Sequence, residues 1–180
     1  GARWANYAIT ETDLIIALGV RFDDRVTGKL SKFAPGVKVI HVDIDPAEIG
    51  KNVPARIPIV GSVKNVLTAL VAELQKLTAT QKLAPRIDWL NQIKKWQEEY
   101  PLTYNKNDGK LHPQMVVETV SELTKDRETV VTTGVGQNQM WAAQYYKPTR
   151  PRSFLSSGGL GTMGFGLPAA IGAQFGRPEA

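Results

Sequence analysis

No cysteine occurs among the 180 residues. That absence excludes a disulfide framework, a thiolate nucleophile and any cysteine-based metal cage. Only two histidines are present, His41 and His112. They stand apart, outside any H-E-x-x-H or acid–His–Ser grouping, so a zinc or triad hydrolase has no support and each reads as a core or capping residue. Long apolar runs are missing too. "LIIALGV" is far shorter than a membrane span, and no charged-then-apolar signal opens the chain, so nothing directs it to a membrane. The net charge is +5 with a pI of about 9.5. Its lysines and arginines are scattered, however, and no basic run follows a phosphate backbone, so nucleic acid is not indicated as a partner. What remains, 42% hydrophobic and 22% charged residues, is the composition of a globular chain between one and two domains long.

The hydrophobic pattern predicts α/β architecture. "GARWANYAITETD" spaces Trp4, Ala5, Ala8 and Ile9 for one helix face. "DLIIALGV" and "VKVIHVDID" are continuous apolar, β-branched runs of the kind a parallel sheet buries on both faces. After Gly61 and a candidate N-cap at Ser62, Val63, Val66, Leu67, Leu70, Leu74 and Leu77 recur at helical spacing. The stretch from Thr78 to Lys110 is polar and broken at Pro85 and Pro101. It carries one amphipathic helix whose Trp89, Ile93, Trp96 and Tyr100 share a face, and it reads as an interdomain linker. From Leu111 the rhythm resumes, with Pro113 at a first helical turn, a strand in "ETVVTTG", a helix around "QMWAAQYY" and a strand in "RSFLSS". The expected organisation is therefore parts of two parallel-sheet α/β domains, 1–77 and 111–180, joined by 78–110. Both ends read as cut.

Three stretches could carry chemistry. "GLGTMG", Gly159 to Gly164, fits G-x-G-x-x-G between a predicted strand and a helix. It suits a dinucleotide diphosphate or a turn whose glycines only let helix and strand pack. "GVGQNQMW", Gly134 to Trp141, is a second strand-to-helix handover, either an ordinary loop or one whose free N–H groups and side-chain amides face an anion. Two such turns at strand ends of one domain would share a crevice and favour a phosphorylated cofactor. In "GVRFDDRVTGK", Arg21 and Arg25 flank Asp23 and Asp24. This is either a solvated ion-pair loop or an arginine fork for a diphosphate or aromatic ring. The following strand ends in "VDIDP", which puts Asp43 and Asp45 where nucleotide-binding sheets accept a ribose hydroxyl.

"GVRFDDRVTGK", "VDIDPAEIGKN", "TTGVGQNQMWAAQYY" and "SSGGLGTMGFGLPAAIGA", in this order and separation, closely resemble the large catalytic subunit of the acetolactate (acetohydroxyacid) synthases, a thiamine-diphosphate family. The resemblance covers nearly the whole chain, least distinctively at 78–110. It implies a fragment: the latter part of an FAD-binding central domain, a linker, and the start of the thiamine-diphosphate domain. By resemblance Arg21, Asp23, Arg25 and Val26, with the segment from Asp43 and Ile44 to Gly61 and Ser62, line a structural FAD site. Val135, Gly136, Gln137 and Asn138 match the loop at the cofactor diphosphate, with Gln139 and Met140 beside them. Gly161 and Met163 match contacts to the aminopyrimidine, with Gly158 and Gly159 beside those. Met163 is the residue that props the cofactor so that its amino group faces the thiazolium C2 carbon. The chain departs from the family at Ser62, where relatives commonly carry Asp, and at Asn138, where many carry His.

The resemblance also implies the reaction: pyruvate joins a second 2-oxo acid, pyruvate or 2-oxobutanoate, with loss of carbon dioxide, in branched-chain amino-acid biosynthesis. The family's Mg²⁺ ligands, a Gly-Asp-Gly and a distal Asn, are absent before Ala180, and its activating Glu belongs to a domain not present, so the chain alone is expected to be inactive. The full-length protein is expected as a homodimer or homotetramer, with a regulatory subunit as a possible partner. Its expected location is the cytoplasm of a bacterium or the plastid of an alga or plant. Two other readings stand beside this one, another thiamine-diphosphate decarboxylase, carboligase or oxidase, and a non-catalytic nucleotide-binding module.

Overall fold

The computed structural model describes residues 1–180, which form two compact units, Gly1–Pro101 and Leu102–Ala180. Both are α/β with parallel strands.

In the first unit, three strands lie in sequence order: β1 (Leu14–Leu18), β2 (Lys38–Asp43) and β3 (Ile57–Val60). The register pairs Leu18 with Val42 and Asp43 with Val60, so the three C-terminal ends finish along one edge. Two further amides extend the ladders there, Gly19 N–H donating to Val42 O and Gly61 N–H to Asp43 O, each at 2.8 Å. Alternation along β1 sends Ile15 and Ala17 into the core with Val39, Phe22 and Val53, while Leu14 and Ile16 stay 44% and 48% exposed on the opposite face. The helix predicted after Gly61 is α3 (Val63–Thr80). Ser62 occupies its N-cap position, but the hydroxyl makes no capping bond. The "RFDDR" stretch is not a plain loop: α2 (Asp24–Thr27) forms there, because the Asp23 carboxylate accepts the Val26 N–H at 3.2 Å and caps it.

The stretch 78–110 carries the one helix expected of it. Its helix α4 (Ile87–Glu99) packs on α1 (Arg3–Glu11), and the first unit runs to Pro101. The aromatic face explains this. The Tyr7 ring lies 5.7 Å from Trp96 and 5.3 Å from Tyr100, the Arg3 guanidinium sits 4.3 Å above Tyr100, and Trp89 meets Trp96 edge-on. Such pairs add to the free energy of simple area burial.

The second unit contains α5 (Pro113–Thr124), β4 (Val131–Thr132), α6 (Gln137–Tyr145), β5 (Phe154–Leu155) and α7 (Gly166–Gly176). Pro113 opens α5 as expected. The strands are shorter than "ETVVTTG" and "RSFLSS" suggested, since β4 and β5 have only each other as partner. Upstream, Glu128 is engaged in ion pairs with Arg150 and Arg177. The residues from 102 to 112, without helix or strand before Pro113, are tied to α5. Tyr104 OH and Lys106 Nζ both donate to Glu118 Oε2, at 2.7 and 2.8 Å, and Asp108 meets His112 Nε2 at 3.0 Å. The hydrogen bond from Lys106, then that from Tyr104, holds the Glu118 carboxyl below its ordinary range. His112 and then the Lys110 amide do the same for Asp108.

Candidate cofactor sites

At the strand edge of the first unit, β1 gives way to Gly19, whose φ of +65° turns the chain beside Val63 of α3. The next residues are pinned from beneath. His41, fully buried, places Nε2 at 2.8 Å from Val20 O, which can only accept, so this nitrogen donates. The His41 Nδ1 accepts from Gly50 N–H at 3.4 Å. The Phe22 side chain is buried edge-on against His41 and Phe33, its backbone is left-handed (φ +48°), and its carbonyl accepts the Asn52 amide at 2.9 Å. A bulky residue keeps such a backbone only where its surroundings impose it.

The result is to hold Arg21 and Asp23 outward. Their side chains pair at 2.8 Å, while the Arg21 side chain remains 59% exposed. One ion pair forms among the four charges; Asp24 and Arg25 have no ion-pair partner, and Val26 is exposed on the same short helix. On the neighbouring strand end, Asp43 Oδ1 accepts the Asp45 N–H at 3.0 Å, and Asp45 Oδ1 accepts that of Ala47 at 2.9 Å. These two turns bring Ile44 out to 74% exposure, and Gly61 follows β3 on the same edge. Arg21, Asp23, Asp43, Ile44 and Gly61 thus lie along adjacent parallel strand ends. There a guanidinium, free carboxylate oxygens and an exposed apolar side chain offer what a diphosphate, a ribose and a flat ring require. Sequence took His41 for a core or capping residue; Phe22 and Asn52 lie inside the quoted motifs, Asn52 within the 43–62 segment, but neither had a role of its own there.

In the second unit, the two glycine-containing turns come together. β4 leads into Gly134 and Val135. Gly136, at φ +130°, then opens α6 with no side-chain cap, so the first N–H groups, at Gln137 and Asn138, lack intrahelical acceptors. β5 leads through Ser156 and Ser157 into Gly158–Gly164. A Cβ on Gly161 would lie 4.0 Å from Val135 Cγ1, which places the two turns side by side.

The glycines divide by role. Gly161 (+64°) and Gly164 (+83°) have left-handed backbones, and nothing lies within 4 Å of a Cβ at Gly158, Gly159 or Gly164. Close packing of helix on strand falls instead to Gly166. A Cβ there would stand 2.8 Å from Gly134 N and 3.0 Å from Thr133 C, and its carbonyl accepts the Thr132 hydroxyl at 2.9 Å. Within these residues, then, the contact of helix on strand is made by Gly166 and not by "GLGTMG". It faces open space, with Met163 84% and Met140 56% exposed. Sequence reasoning missed Gly166, although it follows the motif by two residues. It also missed Ser157, whose hydroxyl accepts the Thr162 N–H at 3.0 Å while its carbonyl accepts that of Gly161 at 3.0 Å.

This arrangement fits a cofactor with a diphosphate at the start of α6 and a flat heterocycle over the turn: uncapped N–H groups on one side, open glycine backbone and a free apolar side chain on the other. No group of three or more His, Asp or Glu side chains gathers to hold a metal.

Residues 1–70 match the family described as thiamine pyrophosphate enzyme, central domain, and residues 134–180 match thiamine pyrophosphate enzyme, C-terminal TPP binding domain. The chain is 52% identical over 174 residues (96% of its length) to "Acetolactate synthase" of Mycobacterium leprae. It is 51% identical over its whole length to "Probable acetolactate synthase large subunit" of Methanocaldococcus jannaschii. It is 50% identical over 99% of its length to "Acetolactate synthase 1, chloroplastic" of Oryza sativa. It covers 28%, 31% and 27% of those proteins, less than a third of each.

Proposed function

Since the chain belongs to the thiamine pyrophosphate enzymes and matches their central and C-terminal domains in order, we propose that it is a segment of an acetolactate synthase large subunit. In this account the full-length protein condenses pyruvate with a second 2-oxo acid, pyruvate or 2-oxobutanoate, releasing carbon dioxide. Half of the sequence is shared with acetolactate synthases from a bacterium, an archaeon and a plant. The supporting observation within the structure is the convergence of the Val135 and Gly161 turns at the ends of parallel strands, with their ligand side open.

The roles are those the family resemblance implies, and the geometry is compatible with them. Gly136, Gln137 and Asn138 present backbone donors at the α6 N-terminus to the diphosphate, with Gln139 in the same turn. Gly158, Gly159 and Gly161 let the aminopyrimidine approach main chain. Met163, an exposed apolar side chain on this turn, would supply a wedge against the bound cofactor. When bound, thiamine diphosphate supplies an electron sink for the pair left by decarboxylation. Asn138 donates without carrying charge, so its contribution is a neutral hydrogen bond. These residues gather no set of side chains to hold a metal, so any Mg²⁺ would need ligands from elsewhere in the full-length protein.

In the first unit Arg21, Asp23, Arg25, Val26, Asp43, Ile44 and Gly61 line an FAD site. The intact enzyme is a homodimer or homotetramer, open to a regulatory subunit, in the bacterial cytoplasm or in a plastid. The test is acetolactate formation from pyruvate. The full-length protein should form it only with thiamine diphosphate and Mg²⁺, and the 180-residue chain should form none; cofactor-independent product, or sustained product from the short chain, contradicts the proposal.

A further inference from the structure

We propose that Ser156 is a positioning residue that locks the diphosphate loop and the glycine turn into one rigid cofactor cradle. Two side chains, one from the end of β4 and one from α6, meet at its hydroxyl. Thr133, directly after β4 and only 4% exposed, lies with Oγ1 at 2.8 Å from Ser156 Oγ. Gln139, in the first turn of α6, donates its Nε2 to the same oxygen at 2.7 Å. Ser156 itself follows β5, so a single hydroxyl ties the ends of both strands to the helix whose uncapped N–H groups face the diphosphate.

The coupling continues through the next residue. Ser157 accepts the Thr162 N–H on its hydroxyl and the Gly161 N–H on its carbonyl, so it shapes the turn that carries Gly161 and Met163. Adjacent serines thus face different ways in function: Ser156 fixes α6, Ser157 fixes the glycine turn, and the peptide between them leaves the two little freedom to move independently. The Gln139 backbone N–H is already engaged by Gly136 O at 3.2 Å and Asn138 Oδ1 at 2.7 Å. Its side chain is therefore the remaining handle by which the first turn of α6 can be aimed. Removing the Ser156 oxygen leaves the Gln139 amide and the Thr133 hydroxyl without their shared partner, and α6 free to tilt away from the turn. Sites held within a fraction of an ångström depend on such supporting bonds.

This inference rests on the two turns being the thiamine-diphosphate site. The experiment is calorimetric titration of the full-length protein with thiamine diphosphate in excess Mg²⁺, comparing wild type, Ser156→Ala, Ser156→Thr, Thr133→Val and the Ser156→Ala/Thr133→Val pair, with melting temperature recorded for each cofactor-free protein. Ser156→Ala should weaken binding about tenfold, the scale of two neutral hydrogen bonds. Ser156→Thr should restore most of it, and the double variant should be less than additive. Binding by Ser156→Ala equal to wild type overturns the proposal, as does an equal loss in Ser156→Ala and Ser156→Thr that merely follows melting temperature. Gly136→Ala, strained at φ +130°, separates the two levels. If it loses the cofactor while Ser156→Ala keeps it, the site stands and the role of Ser156 falls; if wild type binds no thiamine diphosphate, both fall.

Discussion

Replacing Gly166 with alanine would set a Cβ 2.8 Å from Gly134 N, 3.0 Å from Thr133 C and 3.2 Å from Thr133 O. All three atoms are backbone, at the end of a strand, so no side chain can swing aside. Overpacking of this kind costs about 1–3 kcal/mol. Displacing α7 also stretches the 2.9 Å bond from Thr132 Oγ1 to Gly166 O, worth about 1 kcal/mol. The helix-propensity gain of alanine is too small at a first-turn position to offset this. Gly172, in the same helix with open space at its Cβ, is the control, and Gly172→Ala should stabilise α7 by about 0.5–1 kcal/mol. Amide hydrogen exchange across 166–176 in the full-length protein reads this local stability directly. Protection should fall in Gly166→Ala and hold or rise in Gly172→Ala. Equal protection in the two variants would refute the claim that Gly166 is the residue on which helix and strand close.

Two more predictions follow from charge. Arg21→Ala in the full-length protein should weaken FAD retention by about 1.5–3 kcal/mol, the scale of a charge-assisted hydrogen bond, whereas Lys64→Ala, out on exposed α3, should not; equal flavin content of both after gel filtration counts against the strand-edge site. The carboxyls of Glu118 and Asp108 are both held below their ordinary range in the folded chain. Their contribution is therefore complete above the usual carboxylate range and is lost as pH falls through the lowered folded values. Exchange protection of residues 102–112 should drop in that acid window, and Glu118→Gln should flatten the drop; an identical pH profile in Glu118→Gln would refute the clamp.

Periodicity was enough for the elements whose pattern is local. The apolar runs at β1 and β2, the α3 face and Pro113 at the start of α5 each carry their own signal. In 78–110 the helix was legible but not what it meets: Trp96 and Tyr100 find Tyr7 and Arg3 some ninety residues earlier in the chain, a pairing no local window contains. The same reason hid the individual contacts of His41, Asn52 and Ser156, which are with loop carbonyls and side chains met in space. "GLGTMG" was legible as a turn. Which glycine packs and which leave room depends on the 2.8 Å approach of Gly166 to Gly134, and spacing alone does not reveal it.

Met163, 84% exposed on a turn whose glycines face open space, is where the account is most exposed to test. The measurement is deuterium exchange at the C2 proton of thiamine diphosphate bound to the full-length protein with Mg²⁺, in wild type and in Met163→Ala. If Met163 sets the angle between the cofactor rings, Met163→Ala should remain folded and cofactor-loaded while C2 exchange slows sharply, because the amino group and C2 are no longer held in reacting geometry. An unchanged exchange rate in the folded, loaded variant would contradict the account.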